Sequence, residues 1–158
     1  MATIRKLYDG LFKIVEFASA IFLAGMVVIC FYSVVMRYVF HAAPRWGDEM
    51  ALFCMIWYGL LSASLALKEN RHIRIGIWDS LLPQKASRVL LIIVHLIVLV
   101  VVIILLRYSA LLTHLAGRTR MTGSGYPLSL EYAALPVSAV FMLIATIGRL
   151  GEIIGRKC

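Results

Sequence analysis

The sequence predicts an all-α membrane protein: four transmembrane helices, with a short interfacial amphipathic helix between the second and the third. Three observations carry that fold class. Apolar residues make up 62% of the 158-residue chain and charged residues 15%, whereas soluble domains are nearer half apolar and a quarter charged. Four stretches without a charged residue, 17–36, 50–67, 89–106 and 132–148, would each rise roughly 25–30 Å as helix, the thickness of a hydrocarbon core. The charges, +8 net, gather at the ends of these stretches, a placement that suits anionic lipid headgroups and not nucleic acid. Four strands could not close a barrel and would leave amides unpaired in lipid, so helix is the form that remains.

The expected spans are 14–36, 49–67, 89–107 and 130–148, all in a single domain, 1–158. The first follows Arg5, Lys6 and Lys13, as a signal peptide would, but its apolar run exceeds the roughly 7–15 residues of a signal core and lacks a small-residue cleavage site. It reads as an uncleaved anchor. Between the second and third spans, Ile73, Ile77 and Leu81 recur at helical spacing beside Trp78 and Leu82, and Pro83 ends the pattern. This segment, 72–82, is expected to lie in the headgroup region with Trp78 as anchor. The third span is rich in β-branched residues that favour strand in water; in lipid the need to pair every amide overrides that preference. Lys and Arg number eleven on the side of the termini and five on the other, which predicts cytoplasmic N- and C-termini. Cys30, Cys54 and Cys158 offer neither a disulfide framework nor a metal spacing.

Glu16, Glu49 and Glu131 are expected at the starts of helices, where the positive end of the dipole favours a carboxylate. Asp48 is expected to cap the second helix. Arg37 and Arg107 are expected to close the first and third. His95 is the one ionisable group deep in an apolar run; it could ligate haem, relay protons or bond between helices, and a second His at similar depth, which haem ligation by two His would need, is missing from the runs. No nucleophile–base pair, metal motif or phosphate loop marks an enzyme, and no cofactor or metal is expected. The spans are continuous and nearly uncharged, unlike the broken helices of a transport path. The residues therefore describe an accessory subunit that positions a larger partner.

The stretch "RYVFHAAPRWGDEMALFCMIWYGLLSASLALKENRHIRIGIWDSLLP" resembles the signature region of the small membrane subunit of tripartite ATP-independent periplasmic (TRAP) transporters, the DctQ-like family. The matching features, in order, are Arg37, Tyr38 and Phe40; Trp46, Asp48 and Glu49; Trp57; His72 and Arg74; and Leu82 and Pro83. Gly76 departs from the pattern, since many members carry an acidic residue there. The resemblance implies a bacterial or archaeal inner-membrane subunit. It would act as a stator for a large multi-helix subunit that moves an organic acid by a sodium-coupled elevator, fed by a periplasmic substrate-binding protein. On that view residues 37–49 form an outward brace with an Arg37–Glu49 pair, strengthened by partial desolvation; generic interface anchoring by Trp, Tyr and Arg is the plainer account. Two rival readings are the membrane anchor of a redox complex, with His95 as haem ligand, and a small drug exporter using Glu16.

Overall fold

The computed structural model describes residues 2–69 and 84–155. The expected interfacial helix at 72–82, with His72, Arg74 and Trp78, lies outside them, as do Leu82 and Pro83. The elements in chain order are α1 (Ala2–Tyr38), α2 (Gly47–Lys68), α3 (Gln84–Ala116), a single turn α4 (Ser129–Tyr132) and α5 (Ala134–Gly155). Four segments, Lys6–Tyr38, Gly47–Lys68, Ile92–Ala116 and Ser129–Gly151, are long and apolar enough to cross a membrane. The chain is an all-α, multi-pass membrane protein.

Helices α1, α3 and α5 run well past the expected spans, α5 to Gly155, and two ionisable residues change roles with the first two. Helix α1 starts at Ala2 with no acidic residue in its first turn. Glu16 therefore sits several turns inside it, too far from the end for the dipole to explain it. Helix α3 continues past Arg107 to Ala116, and the basic residue of its last turn is His114. Two hydroxyls of that extension bond to the preceding turn: Ser109 Oγ donates to the Leu106 carbonyl at 3.1 Å, and Thr113 Oγ1 to that of Ser109 at 2.8 Å and also to that of Tyr132 at 3.1 Å. In the fourth crossing α4 and α5 meet at Ala133, whose backbone stays helical (φ −61°, ψ −22°) and whose N–H reaches the Ser129 carbonyl at 2.8 Å. Pro136 leaves the Tyr132 carbonyl without its i+4 N–H, and Thr113 Oγ1 donates to that carbonyl instead.

The helices form an open row, not a closed bundle. α1 packs on α2, α2 on α5, and α5 on α3, while the backbones of α1 and α3 do not approach one another. The last helix is thus inserted between the second and the third. Small residues make that possible. Ala134, Ser138, Ala139 and Ala145 are each 0–1% exposed, so the neighbouring backbones come close on both sides, as small residues permit in membrane interfaces. Buried hydroxyls bond along their own helices: Ser138 Oγ to the Ala134 carbonyl at 2.7 Å, Thr146 Oγ1 to Met142 at 2.8 Å, and Ser64 Oγ to Leu61 at 2.6 Å. The row leaves wide apolar faces uncovered, including Ile14, Phe17 and Phe31 on α1 and Ile97, Val100 and Ile104 on α3. Such surface suits hydrocarbon.

Candidate functional site: a clasped connector and its opposite lock

The connector 39–46 is short, which makes α1 and α2 antiparallel neighbours. His41 takes a left-handed conformation, φ 53°, and the turn lets the Ala42 N–H reach the Met36 carbonyl at 3.0 Å. At the start of α2, Gly47 lies against α1; a Cβ there would overlap Ser33 Oγ and lie 3.3 Å from the Pro44 ring. Trp46 occupies the cap position of α2 without a side-chain cap bond, and Asp48 and Glu49 fall in the first turn. The expectation that Asp48 caps the helix is therefore corrected: it lies past the cap, and its charge acts on the dipole instead.

The expected Arg37–Glu49 pair is corrected too. Arg37 Nη2 lies 3.1 Å from Asp48 Oδ2, with the side chains 52% and 79% exposed. Neighbouring residues diverge by about 100° around a helix, so with Asp48 turned to Arg37, Glu49 faces elsewhere. Its partners come from the α3–α4 loop. Gly123 N–H donates to Glu49 Oε1 at 2.7 Å; Ser124 N–H and Ser124 Oγ donate to Oε2 at 2.8 and 2.9 Å. The loop is shaped for this by a tight return. Met121 N–H donates to Tyr126 O at 2.8 Å, Leu128 N–H to Thr119 O at 2.9 Å, and Gly125 has φ 74°. Gly123 sits directly on the connector, where an added Cβ would collide with the Arg45 carbonyl. Glu49 thus clasps the loop onto the head of α2.

The aromatic candidates divide into two groups. Tyr38 and Phe40 are 73% and 63% exposed. Trp46 stacks on Tyr32, with centroids 5.8 Å apart. Trp57 stacks on Phe22 at 5.3 Å and donates its indole N–H to the Leu130 carbonyl at 3.3 Å, tying α2 to both α1 and α4. His95 is buried, 3% exposed.

At the other end of the row a second cluster forms that the residue pattern did not single out. Lys68 Nζ lies 3.3 Å from Asp9 Oδ1 and stands 5.5 and 5.0 Å from the ring centres of Tyr8 and Phe12. Arg149 Nε donates to the Lys68 carbonyl at 2.6 Å, and Gly148 makes room for the Tyr8 ring, 3.0 Å from where a Cβ would stand. These contacts lock α1, α2 and α5 together. The turn-forming run Thr122-Gly123-Ser124-Gly125 was a readable sign of spare amides at the clasped end; nothing in it named Glu49 as their target.

The family model for the DctQ component of tripartite ATP-independent periplasmic transporters matches residues 26–156. This chain belongs to that family. Relatives include a "Putative TRAP transporter small permease protein" of Haemophilus influenzae, 26% identical across 92% of this chain and 91% of the relative. The "Isethionate TRAP transporter permease protein DctMQ" of Oleidesulfovibrio alaskensis is 30% identical over 82% of this chain, and that region is 22% of its length. The "Sialic acid TRAP transporter permease protein SiaT" of Haemophilus influenzae is 24% identical over 83% of this chain, a region that is 21% of its own length. The match to this DctQ component contains the whole clasp, from Arg37 to Ser124. It leaves out Tyr8, Asp9 and Phe12, the α1 half of the lock.

Proposed function

We propose that this DctQ component is the small subunit of a TRAP-type secondary transporter, a fixed membrane scaffold beside a large elevator subunit that imports an organic acid with sodium. The observation that carries the reading is the open row α1–α2–α5–α3. Four helices side by side have no enclosed interior to line a path, and they offer long apolar faces to a neighbour. The relatives in which the matched region is about a fifth of a longer permease support a large membrane partner. Their names carry sialic acid and isethionate, both organic anions.

In this reading the termini are cytoplasmic, and the clasped end faces the periplasm. Arg45, Arg118, Tyr38 and Phe40 are exposed there and form the surface nearest an arriving binding protein. The clasp keeps that surface in one shape, and the Lys68 lock holds the cytoplasmic end. The test is reconstitution. Liposomes holding the small and large subunits, given the binding protein and a sodium gradient, should accumulate the organic acid, and vesicles with the small subunit alone should carry none. Solute flux through the small subunit by itself would overturn the scaffold reading.

A further inference from the structure

A groove of about 410 Å³ runs between α2 and the α4–α5 crossing, lined by Met55, Ile56, Gly59, Leu60 and Leu135, with Glu131 beside them. Apart from that carboxylate and the phenol of Tyr132, the lining is apolar. Among the described residues Glu131 forms no ion pair, and its side chain accepts no hydrogen bond. Glu131 stands in the first turn of α4, where the dipole favours a carboxylate, but no cation among the described residues pairs with it, and such residues in spans ordinarily mark a partner.

Gly59 is the second, independent sign. It stands in the interior of α2, where glycine costs about 1 kcal/mol relative to alanine. Yet a Cβ built on it meets nothing within 4 Å. No neighbour in this chain requires its smallness. In membranes, an exposed glycine on a helix face lets another helix backbone come close.

Resting on the reading of this chain as a scaffold for a large subunit, we propose that the α2–α5 groove seats a membrane-spanning helix of that subunit, with the helix backbone over Gly59 and a Lys or Arg side chain paired to Glu131. Charge complementarity selects the cation, and the open glycine selects a helix over a lipid tail. The apolar floor, with Met55 58% exposed, supplies the contact area, and the ion pair sets the register of the two subunits. A charge pair shielded from water at an interface is costly to break, because the remaining charge is left buried alone.

The test uses the complex of the small and large subunits, captured through a tag on the small one and washed with salt. Gly59→Leu and Glu131→Lys should each lower the recovered large subunit about tenfold or more, and Glu131→Gln by less, since it removes the charge but keeps the shape. The unfolding midpoint of the isolated small subunit should not fall with Gly59→Leu, because a Cβ there meets nothing within 4 Å and the helix loses a glycine. Nor should it fall with Glu131→Gln, because the Glu131 side chain makes no hydrogen bond or ion pair within the described fold. Scanning the Lys and Arg residues of the large subunit for Glu replacements that restore binding to Glu131→Lys should return a single helix. Full recovery of the large subunit with both Gly59→Leu and Glu131→Lys would overturn the proposal. So would an aminophospholipid, seen by native mass spectrometry, that is lost on Glu131→Gln while subunit recovery is unchanged; the groove would then be a lipid site. If the unsubstituted chain itself retained no large multi-helix subunit, the scaffold reading would fail first, and the groove assignment with it.

Discussion

Replacing Gly123 with alanine tests whether the α3–α4 loop is truly seated on the connector. The new Cβ would stand 2.7 Å from the Arg45 carbonyl carbon and 3.2 Å from Glu49 Oε2. Carbon atoms at rest keep about 3.5–4.0 Å, so the loop must retreat by roughly 1 Å. The opposing group is backbone, held by the start of α2, and cannot swing aside as a side chain could. A retreat of that size takes the Glu49 bonds from 2.7, 2.8 and 2.9 Å to beyond about 3.5 Å, where they cease to be hydrogen bonds. The overpacking itself costs about 1–3 kcal/mol, so the amides of residues 123 and 124 should exchange with deuterium about 5–150-fold faster. Ser124→Ala removes the hydroxyl donor and leaves both amides in place, so it should accelerate exchange less. The assay is hydrogen–deuterium exchange on the protein in nanodiscs, read by mass spectrometry on peptides covering 118–128. Unchanged protection in Gly123→Ala would refute the clasp.

Three further outcomes follow from the same contacts. Arg37→Ala should shift the thermal midpoint little, because a pair with side chains 52% and 79% exposed contributes less than about 1 kcal/mol; a large loss would mean that Arg37 has a second partner. Lys68→Met should lower the midpoint by about 2–4 °C by removing the cation from between Asp9, Tyr8 and Phe12, and Asp9→Asn should cost less, since the ring contacts remain. Ala145→Leu should cost about 1–3 kcal/mol by forcing apart the helices on either side of α5, whereas Ile147→Leu, at a position 55% exposed, should leave unfolding unchanged; equal effects would contradict the central place of α5.

Residues near a helix end were only partly legible in the sequence, and for a definite reason. Charge marks where hydrocarbon stops, but it does not mark where helix stops. Arg107 ends an apolar run, yet the residues after it keep helical bonds because Ser109 and Thr113 satisfy themselves on the preceding turn. Glu16 precedes an apolar run, yet α1 begins at Ala2. The acidic pair at the head of α2 was visible, but its partners were not. Asp48 and Glu49 are adjacent in sequence and about 100° apart around the helix, so one meets Arg37 and the other meets a loop more than seventy residues away.

Sequence alone determined the number of crossings, their helical form and the family, because these depend on local hydropathy and on residues in a recognisable order. The lateral order of the helices was decided by the tertiary structure. Apolar faces look alike along the chain, whether they meet lipid or protein. Small residues on α5 settle which backbones can approach, and they place the last helix between the second and the third. That arrangement opens the row, exposes the groove at Gly59 and Glu131, and brings Arg149 to the Lys68 carbonyl. Each of these is a meeting of distant residues, and hydropathy along a chain holds no record of such meetings.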